Sequence, residues 1–481
     1  MSGIAWTGGV KWFTQILSWS SMIIIAHLLA PAEFGLYGMA LVFLGLVDLV
    51  SELGLSAAIV QKKNLTADQV AQLGSLSLLF AIVLVGLTLA VATPLAAFFG
   101  QPRLRWLVVL MSANMVVKGC AVASRASLAK ELRFRELAVI DGVQALTLTV
   151  ATLALAVAGL GAWALALGAV LANVIGSILT LVIRPQRLSR PRDLRSLEPS
   201  IWFGLNVAAA RLSWYAYSNA DFAIVGRVLG AASLGAYTIG WNLASIPVDR
   251  LTALLGNVTP AVFAASQDDP SGLRRYITGL TEGIALLTFP LAVGLALTAD
   301  LAVPLILGER WLPAVVPLRL LALASVMRSV APLAGTMLQA TGHARMQMRL
   351  TTSWAVLFPV MFYFGAKWRG TEGVAWAWIA GQLLIITPSL AIALRRAINL
   401  RPSDYARTLI PATTGTAAMA IAVLGIRALV PASWSPAIRL SAAVVTGVAT
   451  YAGVTFLAHR DRLVRFRNIL RPPKAAARVI A

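Results

Sequence analysis

The sequence predicts an all-α polytopic membrane protein of about 14 transmembrane helices, laid out as two parallel-repeat bundles plus two C-terminal helices. Three observations carry this. The 481 residues are 59% hydrophobic and only 12% charged, roughly half the charged share of an ordinary soluble domain. Apolar runs of about 20 residues recur along the chain, each long enough to cross a bilayer, and the ten-residue alternation of a transmembrane β-barrel is absent. A short stretch also occurs twice, offset by 200 positions with no gap. Residues 26–37 read AHLLAPAEFGLY and residues 226–237 read GRVLGAASLGAY, so Leu29, Ala32, Gly35 and Tyr37 recur as Leu229, Ala232, Gly235 and Tyr237.

Hydrophobic runs place the spans at about 9–30, 35–60, 70–99, 106–127, 137–158, 161–183, 201–229, 235–263, 277–303, 313–340, 350–366, 373–394, 408–429 and 437–458. In each motif copy one apolar segment ends and another begins, and the glycines Gly35 and Gly235 suit a tight reversal there. Short connectors alternate in charge. One set, which includes both termini, holds 27 of the 40 Lys and Arg residues, and the alternate set holds 7. The positive-inside rule makes the first set cytoplasmic, and an even number of spans agrees with that. The N-terminal apolar segment is too long for a cleaved signal and carries only Lys11 early.

The longest basic connector, RPQRLSRPRDLRSLE at 184–198, separates two halves that start on the same side, as parallel repeats do. The expected organisation is a six-helix lobe at 1–184, a basic cytoplasmic linker at 185–198, a second six-helix lobe at 199–396, two extra helices at 397–460 and a basic cytoplasmic tail at 461–481.

The net charge of +21 is not a nucleic-acid signature, because the cations sit in loops rather than on a soluble face. One cysteine, Cys120, and three histidines, His27, His343 and His459, exclude an intrachain disulfide and argue against a metal centre. His27 reads as a helix-end or interfacial residue. No nucleotide-binding loop, hydrolase motif or long hydrophilic loop is visible. The expectation is a protein that is not an enzyme and needs no cofactor.

Six cations are left unexplained by topology: Lys118, Arg211, Arg227, Arg250, Arg319 and Arg328. Asp48, Glu52, Asp221, Asp249 and Glu282 are acids at membrane depth. A charge at mid-bilayer costs about 2.5–3.5 kcal/mol on insertion scales, so as a set these residues imply a hydrophilic cavity. At 100° per residue, Arg211, Trp214, Ser218 and Asp221 fall on one stripe of the seventh span. Arg suits phosphate and Trp suits a sugar face. The repeat offset pairs Lys11 with Arg211 and Ser18 with Ser218. Asp48 and Glu52 lie four apart on one face, where two carboxylates do not both ionise easily. With Asp249 they form the candidate ion-coupling set.

The whole chain resembles the oligosaccharide flippases of lipopolysaccharide and exopolysaccharide biosynthesis, within the multidrug/oligosaccharidyl-lipid/polysaccharide exporter superfamily. The double motif carries the resemblance, with Asp221-Phe-Ala-Ile-Val-Gly226, Glu52-Leu-Gly-Leu-Ser-Ala-Ala-Ile-Val-Gln61 and Arg125-Ala-Ser-Leu-Ala-Lys-Glu-Leu-Arg-Phe134; the last is most like the exopolysaccharide-exporter branch. The resemblance implies two bundles facing across a cation-lined cavity. It implies alternating access that carries a polyprenyl-pyrophosphate-linked oligosaccharide from the cytoplasmic to the periplasmic leaflet of the bacterial inner membrane. It also implies polysaccharide polymerase and export machinery as further partners. Arg211, Arg250, Arg328 and Lys118 are the positions to which the family's cationic role maps. The intramembrane acids nearly balance the cations, which departs from a strongly positive cavity. A cation-coupled multidrug exporter and a peptidoglycan-precursor flippase are the rival readings.

Overall fold

The computed structural model describes residues 20–51, 55–61, 65–187, 189, 194–256, 259, 263 and 269–458. Among them there are helices and no strands. Eleven helical segments are long and apolar enough to cross a membrane. Two of these run through kinks, at Gly230 and at Arg369–Gly370, where the sequence predicts two successive spans.

The chain divides into two compact units, Met1–Gly235 and Ala236–Ala481. The first holds α1 (residues 20–28), α2 (Pro31–Ser51), α3 (Leu55–Gln61), α4 (Ala67–Phe99), α5 (Pro102–Lys130), α6 (Phe134–Val157), α7 (Ala162–Ile183) and the first part of α8 (Leu194–Gly256). The second holds the rest of α8, then α9 (Pro270–Leu307), α10 (Val315–Arg328), α11 (Ala331–Ala340), α12 (Ala344–Gly381), α13 (Thr387–Ile398), α14 (Pro402–Leu429) and α15 (Pro436–Ala458). A 3₁₀ turn, Glu309–Ala314, leads into α10 and a π turn, Gln382–Ile386, joins α12 to α13.

The ends of these helices are written locally. Thr66 and Gln69 form a reciprocal capping box that starts α4, and Gly100, at φ 64°, ends it. Pro102 opens α5 at a position that needs no N–H. Asp269 caps α9, accepting from the backbone of Ser271 and Gly272 at 3.0 Å each. The Ser271 hydroxyl, also bonded to it, holds the Asp269 carboxyl below the usual carboxylate range.

Large apolar side chains lie on both sides of the helices, buried at Leu73, Leu104 and Phe358 and exposed along the outer faces. Small residues such as Ala58, Ala123, Ala126 and Ala164 are buried, while Leu79, Val83, Leu87 and Leu457 are exposed. Small side chains let helices approach closely where lipid removes the hydrophobic drive.

The reversal in each motif copy is not at Gly35 or Gly235, as the sequence suggests. In the first copy the helix breaks just before Pro31, and in the second at Gly230, whose φ is 84°. Gly35 and Gly235 lie inside helices and serve a close approach instead. A Cβ on Gly35 would overlap the Ala231 carbonyl, and a Cβ on Gly235 would overlap the Pro31 carbonyl. Under the offset of 200 these two contacts are the same contact. The two copies therefore pack reciprocally on each other, as elements related by a two-fold axis do.

Two charged arrangements fix further corners. Glu33 accepts from the N–H of Ala162, the first residue of α7, at 2.6 Å and pairs with Arg103 at 3.3 Å. In the second unit Asp300 receives both Arg319 (2.6 Å) and Arg427 (2.5 Å), and Arg427 also donates to the Leu297 carbonyl. This clamp holds α14 on α9. Tyr451 of α15 adds a hydrogen bond to the Leu286 carbonyl at 2.6 Å, over a core of Met419, Val423 and Ala443.

Candidate functional site

The first unit contains a cavity of about 630 Å³, lined by α3, α5, α6 and α7, within the range of small-ligand sites. Its floor is polar. Lys118 and Arg125 of α5, Gln144 of α6, and Asn173, Ser177 and Thr180 of α7 all line it. Positions 118 and 125 lie two turns apart on one face of α5, and 173, 177 and 180 share a face of α7.

Each cation in this cavity has a carboxylate. Lys118 Nζ donates to Asp48 Oδ2 at 2.6 Å, with both side chains about one-third exposed (37% and 35%). Arg125 Nη2 donates to Asp141 Oδ1 at 2.5 Å. Beside them runs a chain of carboxamides. Gln144 Nε2 donates to Asn173 Oδ1 at 2.8 Å, and Asn173 Nδ2 donates to Asn114 Oδ1 at 3.1 Å and to the Ala169 carbonyl at 2.8 Å. Three helices are thus joined by neutral polar groups inside an apolar bundle.

The second unit holds a cation against an aromatic cluster. Arg328, at the end of α10, donates to Ser245 Oγ at 2.6 Å and lies 4.1 Å from the Trp241 ring centroid. Trp241 packs on Trp378 at 5.3 Å, and Trp378 on Phe358 and Phe362 at 5.2 and 5.1 Å. The guanidinium is held over an aromatic face by a cation–π contact.

Residues 24–316 match the family described as Polysaccharide biosynthesis protein. The chain belongs to that family. A relative from Klebsiella pneumoniae, described as an uncharacterized membrane protein in the cps region, is 27% identical over 401 residues, which cover 81% of each chain. The lipopolysaccharide biosynthesis protein WzxC of Escherichia coli is 25% identical over 390 residues, covering 80% of this chain and 78% of WzxC. Among solved structures, the lipid II flippase MurJ in an inward closed conformation aligns with a TM-score of 0.75. That alignment covers 95% of this chain and 99% of MurJ, at 13% sequence identity, and shows a shared fold.

In this polysaccharide biosynthesis protein the sequence-predicted site residues have different fates. Lys118 and Asp48, read separately as substrate and ion-coupling residues, come together as one ion pair. Asp48 therefore faces a cation rather than standing only beside a second carboxylate. Lys11, Ser18 and Glu52 lie outside the described residues, as do the side chains of Arg211, Asp249 and Arg250. The stripe on α8 does not keep one environment. Trp214 is 59% exposed, whereas Asp221 is fully buried and accepts from the Phe222 N–H at 3.0 Å. Ser218 lies between, donating to the Tyr215 carbonyl and accepting from Asn219. Tyr215, one residue beyond Trp214, reaches the Leu41 and Val42 carbonyls of α2 at 3.1 and 3.0 Å. His27 lies at the end of α1 with Nδ1 2.9 Å from the Ile23 carbonyl oxygen.

Sequence reasoning missed Gln144, Asn173 and Asn114, and used Arg125 as a connector cation and part of the family motif without placing it in a site. The signal was present: three carboxamides sit inside three membrane spans. A count of charges does not register them.

Proposed function

We propose that this protein is a flippase that carries polyprenyl-pyrophosphate-linked oligosaccharide units across the bacterial inner membrane for polysaccharide biosynthesis, by alternating access. Membership of the polysaccharide biosynthesis family carries the reading. The physical support is a polar cavity of about 630 Å³ inside a lipid-adapted helical unit, which a membrane anchor or scaffold does not need. The cavity lies toward the ends of α5 and α7 that lead to Lys130, Arg133 and Arg184. By the positive-inside rule that end is cytoplasmic, the side on which a lipid-linked unit would load. The head group would enter the polar interior while the polyprenyl chain stays in lipid. Arg211, Arg250 and Arg328 remain the proposed contacts for the pyrophosphate, with Trp214, Ser218, Asp221, Lys11 and Ser18 along the path. Polymerase and export machinery would take the product on the far side.

The test is a clean deletion. Surface polysaccharide should fall, and the lipid-linked repeat unit should accumulate in the inner leaflet. Unchanged polysaccharide with increased sensitivity to cationic dyes would overturn the reading in favour of drug export.

A further inference from the structure

We infer that the cavity of the first unit is a carbohydrate subsite, in which Gln144, Asn173 and Ser177 read the hydroxyl groups of a sugar ring, and that the phosphates are held elsewhere. The inference rests on the flippase reading above and states which part of the substrate this cavity takes.

Charge decides against a phosphate. Lys118 and Arg125 are the cations among the residues lining the cavity, and each already has a carboxylate at 2.6 or 2.5 Å. A pyrophosphate entering here would meet Asp48 and Asp141 beside the cations it seeks. Repulsion between like charges is strong where water is scarce.

Hydrogen-bonding capacity decides for a sugar. A phosphate oxygen accepts only, whereas a sugar hydroxyl both donates and accepts. A carboxamide matches that with one carbonyl and two N–H donors. Gln144 uses an N–H on Asn173, and its carbonyl oxygen has no partner among the described residues. The Ser177 hydroxyl likewise has none among them. The Asn173 carboxamide accepts from Gln144 and spends its two N–H groups on Asn114 Oδ1 and the Ala169 carbonyl, so it is held in a set orientation and offers a sugar hydroxyl the second lone pair of its oxygen. Amides that only glued helices together would be closed off against one another. Gln144 and Asn173 instead line open space. Gly176, one turn beyond Asn173, keeps that space clear, because a Cβ there would lie 3.1 Å from the Gln144 amide carbon and oxygen.

The experiment uses the full chain in lipid nanodiscs and two probes. One is the lipid-linked saccharide extracted from the deletion strain. The other is bare undecaprenyl pyrophosphate. Gln144→Leu and Asn173→Leu should each weaken binding of the saccharide-bearing lipid about tenfold, with bare undecaprenyl pyrophosphate held within about twofold of wild type. Equal loss of both probes in the amide variants, or no loss of either, would overturn the proposal. Ser177→Ala, which removes one hydroxyl and little packing, carries the same test if the larger variants elute as aggregates. If wild-type protein binds neither probe, or the deletion strain holds no lipid-linked saccharide, the flippase reading itself fails. That result is distinct from selective failure of the amide variants.

Discussion

Gly35→Ala places a methyl group where the chain has no room. The new Cβ would lie 2.5 Å from the Ala231 carbonyl carbon and closer still to its oxygen, against an ordinary contact beginning near 3.4 Å. These neighbours are backbone atoms, so no side chain can swing aside. The helix starts at Pro31 and Ala231 must part by about 1 Å or more, and overpacking of this kind costs about 1–3 kcal/mol. Gly235→Ala meets the Pro31 carbonyl in the same way and should cost a similar amount. Because both changes open one reciprocal interface, the double variant should lose less than the sum of the singles. The assay is thermal unfolding of the purified protein in one detergent, followed by the melting of the four forms. Surface polysaccharide in a complemented deletion strain reads function in parallel. Gly86→Ala is the control, since a Cβ there meets nothing within 4 Å. Wild-type melting in both Gly35→Ala and Gly235→Ala, or full additivity in the double variant, would refute the close-packed reciprocal contact.

Four other outcomes follow from the same geometry. Lys118→Met removes the 2.6 Å partner of Asp48 and should destabilise by about 1–2 kcal/mol, below the buried-pair range because both groups are partly exposed; adding Asp48→Asn should restore part of the melting temperature. Glu33→Ala removes the acceptor for the Ala162 N–H and the partner of Arg103 and should cost about 1–2 kcal/mol by thermal melting, with Glu33→Gln costing less. Asp300→Asn leaves Arg319 and Arg427 converging without their shared carboxylate, and limited proteolysis should then cut before α14 sooner than in wild type. Asp269 has a folded-state pKa below its ordinary value, so its capping contribution is present above the unfolded pKa and lost as pH falls through the folded one; the melting difference between wild type and Asp269→Ala should shrink from pH 7 to pH 3.

The membrane architecture was legible in the sequence because lipid imposes a simple rule on it. Every spanning helix must be apolar and long. The repeat was legible because its two copies align without a gap. What the residues at 35 and 235 do was not. A glycine near a predicted reversal has two physical uses, a left-handed backbone or a close approach, and only the packed structure separates them. Gly230 carries the positive φ and Gly35 and Gly235 carry the contact. The stripe on α8 failed to predict a shared environment for a related reason. Angular position on one helix says nothing about which neighbours cover each turn, and Asp221 is covered while Trp214 is not. The amides of α5, α6 and α7 were present in the sequence but silent to a method that searched for charge.

Part of the intramembrane charge is paired between helices, and an acid that the sequence analysis did not count, Asp300, takes part. Lys118 meets Asp48 across α5 and α2, and Arg319 and Arg427 meet Asp300 across α10, α14 and α9. In each case the partners come from different helices, so these charges act between elements rather than along one. An isolated charge in lipid is costly, whereas a pair across a helix interface is tolerated and also fixes the register of the two helices. At these interfaces each cation is offset locally by a carboxylate on a neighbouring helix. On the proposed sugar subsite, selection among ligands would fall to the neutral groups that are not committed to a partner. That is why Gln144 and Ser177, rather than the more conspicuous Lys118, are the residues whose substitution should change which head group is bound.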